Sequence, residues 1–584
     1  MRKRAFFRAP SSLTLLSLVL LAAGTQTNCY ATDRGVSPPA QEPYYPVGLA
    51  TSPGGKVLYV INSDFDLQYE AGTLEAYDLA KIRQDALLLR NDPRALLGRC
   101  TTGTADDLAC PYFVAPREDQ PRCGDAPGDT RPTPPSPEGA VGSVCTPAMR
   151  PSAYHRSTVR VGAFATGLHL ASAGFTRNGV PKRRLFAPIR GNASLTWLDI
   201  ADDARDPAAD ASVLECGAET NDRTCDLFHQ AGNRSEEAGN TRGITMPGEP
   251  FGMAESADGA FVAISHQSTA QASLFSSGLP AHGNEANDAT APSLQFVTDG
   301  VPVGGNGLAS IPYDPAAFAD PTSVPRPAFL LSSRAATELT LIRLYDDQGV
   351  SPTDGTSTLT RPYLVPEARF AVTANPDGFD SRDVVVDPSL RIACKARVGE
   401  GASAEQLRAC ARLPLRVFVV NRSPASILVG ELGERTSLID GSYGVDSFRF
   451  VDAIPIPAGP SRMVLAPIVD RDGALALRLF VVCFDSSALV VLDPDTRQLD
   501  RILRVGRGPF ALAFDPFDLD AAIRHDAVPR DESGNLAYRF GYVASFTESF
   551  VQVIDLDRSD AASTTFEKIV FTLGNPTPPK SEQD

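Results

Sequence analysis

Six histidines, His155, His169, His229, His266, His282 and His525, are scattered through 584 residues, none close to another. A metal or acid–base site built on imidazole would have to be assembled from distant segments. The chain contains no GxSxG turn, HExxH pair, Gly-Lys phosphate loop or EF-hand spacing. No catalytic residue, resident metal or cofactor is therefore assigned from a motif. Cationic chemistry is better represented. Arg382 and Arg462 recur in Ser-Arg-x-Val segments, Arg507 precedes a Gly-Pro segment, and Arg190, Arg334 and Arg422 follow apolar runs. Drawn together, such guanidiniums would grip a carboxylate-bearing or sugar ligand. Beside Glu249, Asp485 and Glu548 they would instead tie neighbouring units to one another. His266 ends the run FVAISH and joins Arg334, Arg382, Arg422, Arg462 and Arg507 as the candidate ligand-binding set; the alternative is a turn histidine satisfied by solvent. The fragment NPDGFDSRD, residues 375–383, offers closely spaced oxygen ligands of the kind calcium takes, and reads equally as Asp-Gly turn chemistry.

These residues depend for their placement on a repeated unit. Near the end of the chain, RVGRGPFALAFDPF from Arg504 and GYVASFTESFVQVIDLD from Gly541 give a Gly-Pro turn followed by three short apolar strands. Imperfect copies begin near Pro46, Val161, Gly248, Gly305, Ser381 and Pro460. Trp197 and Phe510 read as core residues of their strands. Short strands that no single copy can bury alone mark a solenoid or propeller. The first copy, PVGLATSPGGKVLYVINS followed by GTLEAYDLA, orders Pro, an apolar strand, Ser-Pro-Gly-Gly, LYVINS and a strand ending in Tyr-Asp. It resembles the YVTN-type β-propeller repeat of exported bacterial and archaeal proteins, and the resemblance spans nearly all of the chain after its leader. It implies an all-β, seven-bladed β-propeller over residues 44–574. The weak third and fourth copies leave six or eight blades open. Each blade is expected to come from consecutive sequence, with the first blade packed against the last.

In a four-stranded up-and-down blade, the first-to-second and third-to-fourth links emerge at the same end. The long insertions, residues 80–157, 201–243, 313–327, 388–414 and 518–536, all fall in such links, so one face is expected to be thickly decorated and the other compact. Eight of the ten cysteines lie in these insertions as near neighbours: Cys100 and Cys110, Cys123 and Cys145, Cys216 and Cys225, Cys394 and Cys410. Loops with little core of their own gain most from closure, and these four local disulfides are expected. The first four cysteines admit three connectivities. Cys483 follows Val481 and Val482 in a core strand and reads as a buried free thiol.

Residues 1–28 have the layout of a secretory signal, with Arg2, Lys3, Arg4 and Arg8 before an apolar run too short to span a bilayer. Cys29 stands where the modified cysteine of a bacterial lipoprotein stands, although Gln26, Thr27 and Asn28 depart from that pattern. Cleavage after Gly24 or Ala31 is the alternative. Residues 29–43 read as a Pro-rich tether and 575–584 as a disordered tail. The formal net charge of −16 grows more negative by four without the leader cations, which argues against nucleic acid as a partner. No later segment approaches a membrane span, so membrane attachment would run through a lipid on Cys29. The reading is an exported, cell-envelope or secreted, non-catalytic binding or scaffold protein whose partner is another envelope or extracellular protein or a glycan. The alternative is a propeller hydrolase resembling lactonases, with its site at the axial mouth. The intact mass of mature protein isolated from its native membrane is expected to show eight oxidised cysteines and a reduced Cys483, and it reports at the same time whether Cys29 is acylated.

Overall fold

The structure, a computed structural model, describes residues 36–575 except 101–109, 115–145, 218–222, 281–288, 319–323, 337, 351–357, 373–378, 437–442, 532–533 and 561–564. The signal segment, Cys29, Cys123, Cys145 and the tail beyond residue 575 lie outside the described residues. Seven antiparallel sheets follow one another along the chain as seven blades. The first strands, which face the axis, are Pro46–Thr51, His169–Leu170, Pro250–Glu255, Gly305–Ser310, Phe379–Asp387, Pro460–Val469 and Pro509–Phe514. Sheet order within the blades is sequential, as in strands Val57–Asn62, Gly72–Asp78 and His155–Val161 that complete blade one. Among the described residues no helix is long and apolar enough to cross a membrane.

Side-chain alternation with a period of two supplies both faces of every blade. In blade five, Val417 and Val419 pack toward blade four while Phe418 and Val420 pack toward blade six. In blade six, Leu479 and Val481 join blade five's layer while Phe480 and Val482 face blade seven. The same sharing continues around the circle, and an apolar layer of Leu58, Val60, Tyr542 and Val551 joins blade one to blade seven. Trp197 and the free Cys483 are buried in such layers.

Ring closure uses more than this packing. The helix Leu79–Leu89, at the start of the first insertion, is capped by Asp78, whose side chain accepts from the Lys81 N–H. It carries Arg83 onto blade seven, where Nε lies 3.3 Å from buried Asp515 and Nη2 donates to the Leu536 and Ala537 carbonyls. Asp515 also accepts from the Arg539 and Phe540 N–H groups and from the Tyr542 hydroxyl. Farther along the same insertion, strands Tyr112–Val114 and Ala148–Met149 add to the outer edge of blade seven's sheet, with Ala148 and Met149 parallel to Thr572 and Leu573. Blade one's excursion therefore covers the exposed edge of the last blade.

The insertions from blades four, five and seven meet on one face. Helices Ser389–Val398 and Ala404–Ala411 are joined by the Cys394–Cys410 disulfide. Lys395 pairs with Asp314 at 2.6 Å, Arg391 donates to the Leu413 carbonyl, and Ile392 packs near Leu519 of the helix Leu519–Ile523. Cys100–Cys110 and Cys216–Cys225 are bonded as well. Blades four and five also extend their third-to-fourth hairpins, Glu338–Val350 with Thr358–Ala371 and Ala425–Thr436 with Tyr443–Pro455. The insertion read as 201–243 contains blade two's fourth strand, Gln230–Ala231, too short to be recognised as one. The last part of the segment read as a tether lies on blade one, where the Ala40 carbonyl accepts from Thr158 and Pro43 is buried. Removing a buried carboxylate while leaving its donors in place is strongly destabilising. Asp515→Ala is expected to cost about 3 kcal/mol in equilibrium urea unfolding, and Arg83→Met less, because Arg83 is partly exposed. A loss below about 1 kcal/mol for Asp515→Ala would show that this carboxylate does not hold the closure.

Candidate functional site

The first strands begin with a common irregularity. In six blades the pairing with the second strand shifts register at the strand's start, after Pro46, Pro250, Gly305, Ser381, Pro460 and Pro509. Such bulges re-aim side chains. Two positions beyond these residues stand Gly48, Gly252, Gly307, Asp383, Arg462 and Ala511. The first strands approach so closely here that a Cβ on Gly252 would lie 1.7 Å from the Asn306 carbonyl oxygen, and one on Gly307 2.5 Å from the Asp383 Cα. Charge enters this tight ring only through Asp383 and Arg462, in adjacent blades.

Arg462 crosses the axis. From blade six its Nη2 donates to the Thr166 carbonyl of blade two at 3.1 Å, and its guanidinium lies 5.2 Å from the Phe251 ring centre and 5.5 Å from that of Phe510. Phe510, expected in the core, faces the channel, because the bulge turns it toward Arg462. Burial holds the Arg462 pKa below its ordinary value, and Asp383 offsets only part of that shift. Burial pushes the Asp383 carboxyl up to about 6, against Arg462 and two backbone donors. Its Oδ1 accepts from the Val384 N–H at 3.0 Å and its Oδ2 from the Met463 N–H at 2.9 Å.

Arg462 and Phe510 line one end of an axial cavity of about 650 Å³ to which all seven blades contribute. The walls are largely apolar, among them Leu49, Met253, Leu308, Val384, Val386 and Leu512. At the far end lie Pro312, Tyr313, Pro388 and Leu519, so the cavity opens toward the decorated face. A second hollow of about 350 Å³ adjoins this mouth between the fused insertions and shares those four residues. In the wall near the mouth, His169 of blade two and Glu255 of blade three meet at 3.0 Å through Nε2 and Oε2. A carboxylate only accepts, so Nε2 carries the proton, and in the neutral ring Nδ1 keeps its lone pair. Burial works to raise the Glu255 pKa, but the hydrogen bond and charge of His169, with the Ser172 N–H at 2.9 Å, prevail and hold it below the ordinary range. Glu255 Oε1 accepts no hydrogen bond among the described residues.

Of the candidate ligand-binding set, only Arg462 reaches this cavity. Arg382 seemed its equivalent through the shared Ser-Arg-x-Val, but the strand registers pair Ser381 with Asn421 and Pro460 with Cys483. Arg462 thus corresponds to Asp383, and a one-residue offset sends Arg382 to the other face of its strand. There Arg382 binds Asp380 at 2.5 Å, and Arg334 of blade four reaches the same carboxylate at 3.5 Å. Asp380 is therefore engaged by arginines, while residues 375–378 of the acidic fragment lie outside the described residues. Arg422 of blade five pairs with Asp485 of blade six at 2.5 Å, Arg190 of blade two with Glu249 of blade three, and Arg507 with Glu548 at 2.9 Å. His266 is fully buried within blade three and does not line the cavity. Its Nδ1 donates to the Gly248 carbonyl at 2.9 Å, leaving Nε2 to accept from the Ser273 hydroxyl at 2.8 Å. The His169–Glu255 pair was missed, yet it leaves a trace in the repeat: Glu255 occupies the strand-end position held by Thr51, Ser310 and Phe514 in other copies.

No protein-family model and no curated protein matches this chain. Among solved structures it is similar to the Pseudomonas aeruginosa periplasmic gluconolactonase PpgL, at 13% identity and a TM-score of 0.35, covering 79% of this chain and 86% of that one. A putative 6-phosphogluconolactonase from Bacteroides uniformis gives 11% identity and a TM-score of 0.38, with coverage of 79% and 85%. Kuenenia stuttgartiensis hydrazine synthase gives 10% and 0.37, with coverage of 90% and 99%.

Burial pushes the His266 pKa down to about 4, below the ~6.5 of an unfolded histidine. On acidification the unfolded chain therefore takes up this proton first. The stabilisation is complete above pH ~6.5 and is lost as the pH falls toward ~4. Between pH 7 and pH 5 the unfolding free energy of the wild type is expected to fall by about 2 kcal/mol more than that of His266→Asn, measured by urea titration at both values. Parallel pH profiles would refute the buried neutral imidazole.

Proposed function

We propose that this is an exported, non-catalytic binding protein that holds a small organic molecule in its axial cavity and presents its decorated face to another envelope or extracellular protein or to a glycan. The observation that carries the reading is the cavity itself. Its apolar walls, with a few polar groups at defined heights, have the make-up of a preformed ligand site. Its mouth opens among insertions braced by a disulfide and an ion pair, so an occupied cavity and a partner-binding surface lie side by side. Three disulfides suit an oxidising compartment. Export by the N-terminal leader, with a lipid on Cys29 as the attachment, belongs to the same reading.

One observation favours a hydrolase at the same mouth. The His169–Glu255 pair is oriented as a general base and its carboxylate support are, beside a cavity able to hold an ester or lactone.

Thermal-shift and calorimetric titration of the purified protein with small acids, amides, alcohols and sugars test the cavity. At least one class is expected to stabilise the fold, since ligand at a hundred times its Kd adds about 2.7 kcal/mol. Ala309→Trp, which fills the lumen, is expected to abolish the effect. An unchanged shift in that variant would move the ligand elsewhere. Steady turnover of esters or lactones, lost in His169→Ala, would replace the binding reading by the hydrolase.

A further inference from the structure

We infer that the axial cavity selects monocarboxylates with an apolar body, the anionic head on Arg462 at the closed end and the tail pointing to the mouth. The inference rests on the cavity reading above and adds the chemistry of its occupant.

Arg462 is surrounded by protein yet borders the cavity. Of its five donors, the described residues engage one, through the Thr166 carbonyl. The Phe251 and Phe510 rings both lie against the guanidinium, at 5.2 and 5.5 Å. Asp383 offsets its charge at a distance: its two oxygens accept from the Val384 and Met463 N–H groups, and among the described residues no hydrogen bond or ion pair joins it to the fork. The remaining N–H groups of this fork suit a carboxylate, which accepts two parallel hydrogen bonds.

The rest of the lumen excludes other anions. Between Arg462 and the mouth the walls are mostly apolar, with valine, leucine, alanine and methionine, and polar groups enter at Ser172, Ser256, Ser310 and the His169–Glu255 pair; the apolar stretches favour hydrocarbon and penalise a buried charge. From Phe251, beside the guanidinium, to Glu255 is four residues of one strand, roughly 13 Å. There the Glu255 carboxylate, held ionised by His169, repels a second anionic group. A dicarboxylate is thus rejected at the end opposite its anchor.

Isothermal titration calorimetry of the full mature protein with straight-chain carboxylates from butanoate to decanoate, their primary amides and the matching α,ω-dicarboxylates tests the assignment. Affinity is expected to rise about four-fold per added methylene until the tail reaches the mouth. The amides and dicarboxylates are each expected to bind at least ten-fold more weakly than the monocarboxylates. Arg462→Met is expected to bring acid and amide to equal affinity, and Glu255→Gln to recover the dicarboxylates. The wild-type ligand series stands even where a variant does not fold. Amides binding as tightly as acids, with Ala309→Trp blocking both, would overturn the anion assignment and leave the cavity reading intact. Dicarboxylates binding as tightly as monocarboxylates would overturn the role of Glu255. Absence of binding by acids and amides alike would overturn the assignment, and the cavity reading would fail with it only if no other ligand class gives a shift that Ala309→Trp abolishes.

Discussion

Every blade is a sheet with two apolar faces, and neither can be left to water. The alternating valines, leucines and phenylalanines of a strand such as Leu415–Ser423 feed two different layers at once, each large side chain worth about 1.5–3 kcal/mol when fully buried. A linear stack would leave one face bare at each end. A circle leaves none, so stability in this architecture depends on the last blade finding the first.

The contact between blades one and seven is correspondingly reinforced. Beyond the shared apolar layer it has Arg83 on Asp515, an ion pair between Arg90 and Asp560, a bond from the Tyr45 N–H to the Ser549 hydroxyl, and the added strands from the first insertion. Each blade's four principal strands come in sequence order, and the excursion between blade one's third and fourth strands reaches across the seam. The first insertion is then a structural brace at its ends, whatever residues 115–145 do.

Circular packing also decides where chemistry can reside. Inner strands crowd together at the bulges, and four of the six positions there are glycine or alanine. The two charged ones reach sideways, Arg462 across the axis to the Thr166 carbonyl and Asp383 to the Met463 N–H of the next blade, while the other arginines spread outward to carboxylates, tying blade two to three, four to five and five to six. Their fields are spent on cohesion. At the opposite end the first-to-second and third-to-fourth links carry nearly all surplus chain, so the wide end of the cavity is also the end where insertions, helices and a disulfide collect.

The blade number, the first three strands of each blade, the face bearing the insertions and the cysteine pairs Cys100–Cys110, Cys216–Cys225 and Cys394–Cys410 were legible in the sequence. All are local: a period of two, a Gly or Pro turn and a short cysteine spacing need no partner elsewhere in the chain. What tertiary structure decided was register and convergence. A bulge before Arg462 and another before Asp383 made these two residues counterparts, whereas the sequence had paired Arg462 with Arg382. His169 and Glu255 stand 86 residues apart and meet only because blades two and three adjoin at the axis. Arg83 and Asp515 meet only because the circle closes. Side-chain direction at a bulge depends on how one strand pairs with the next, and contact across a ring depends on all seven blades packing together, so neither could be read from a single strand.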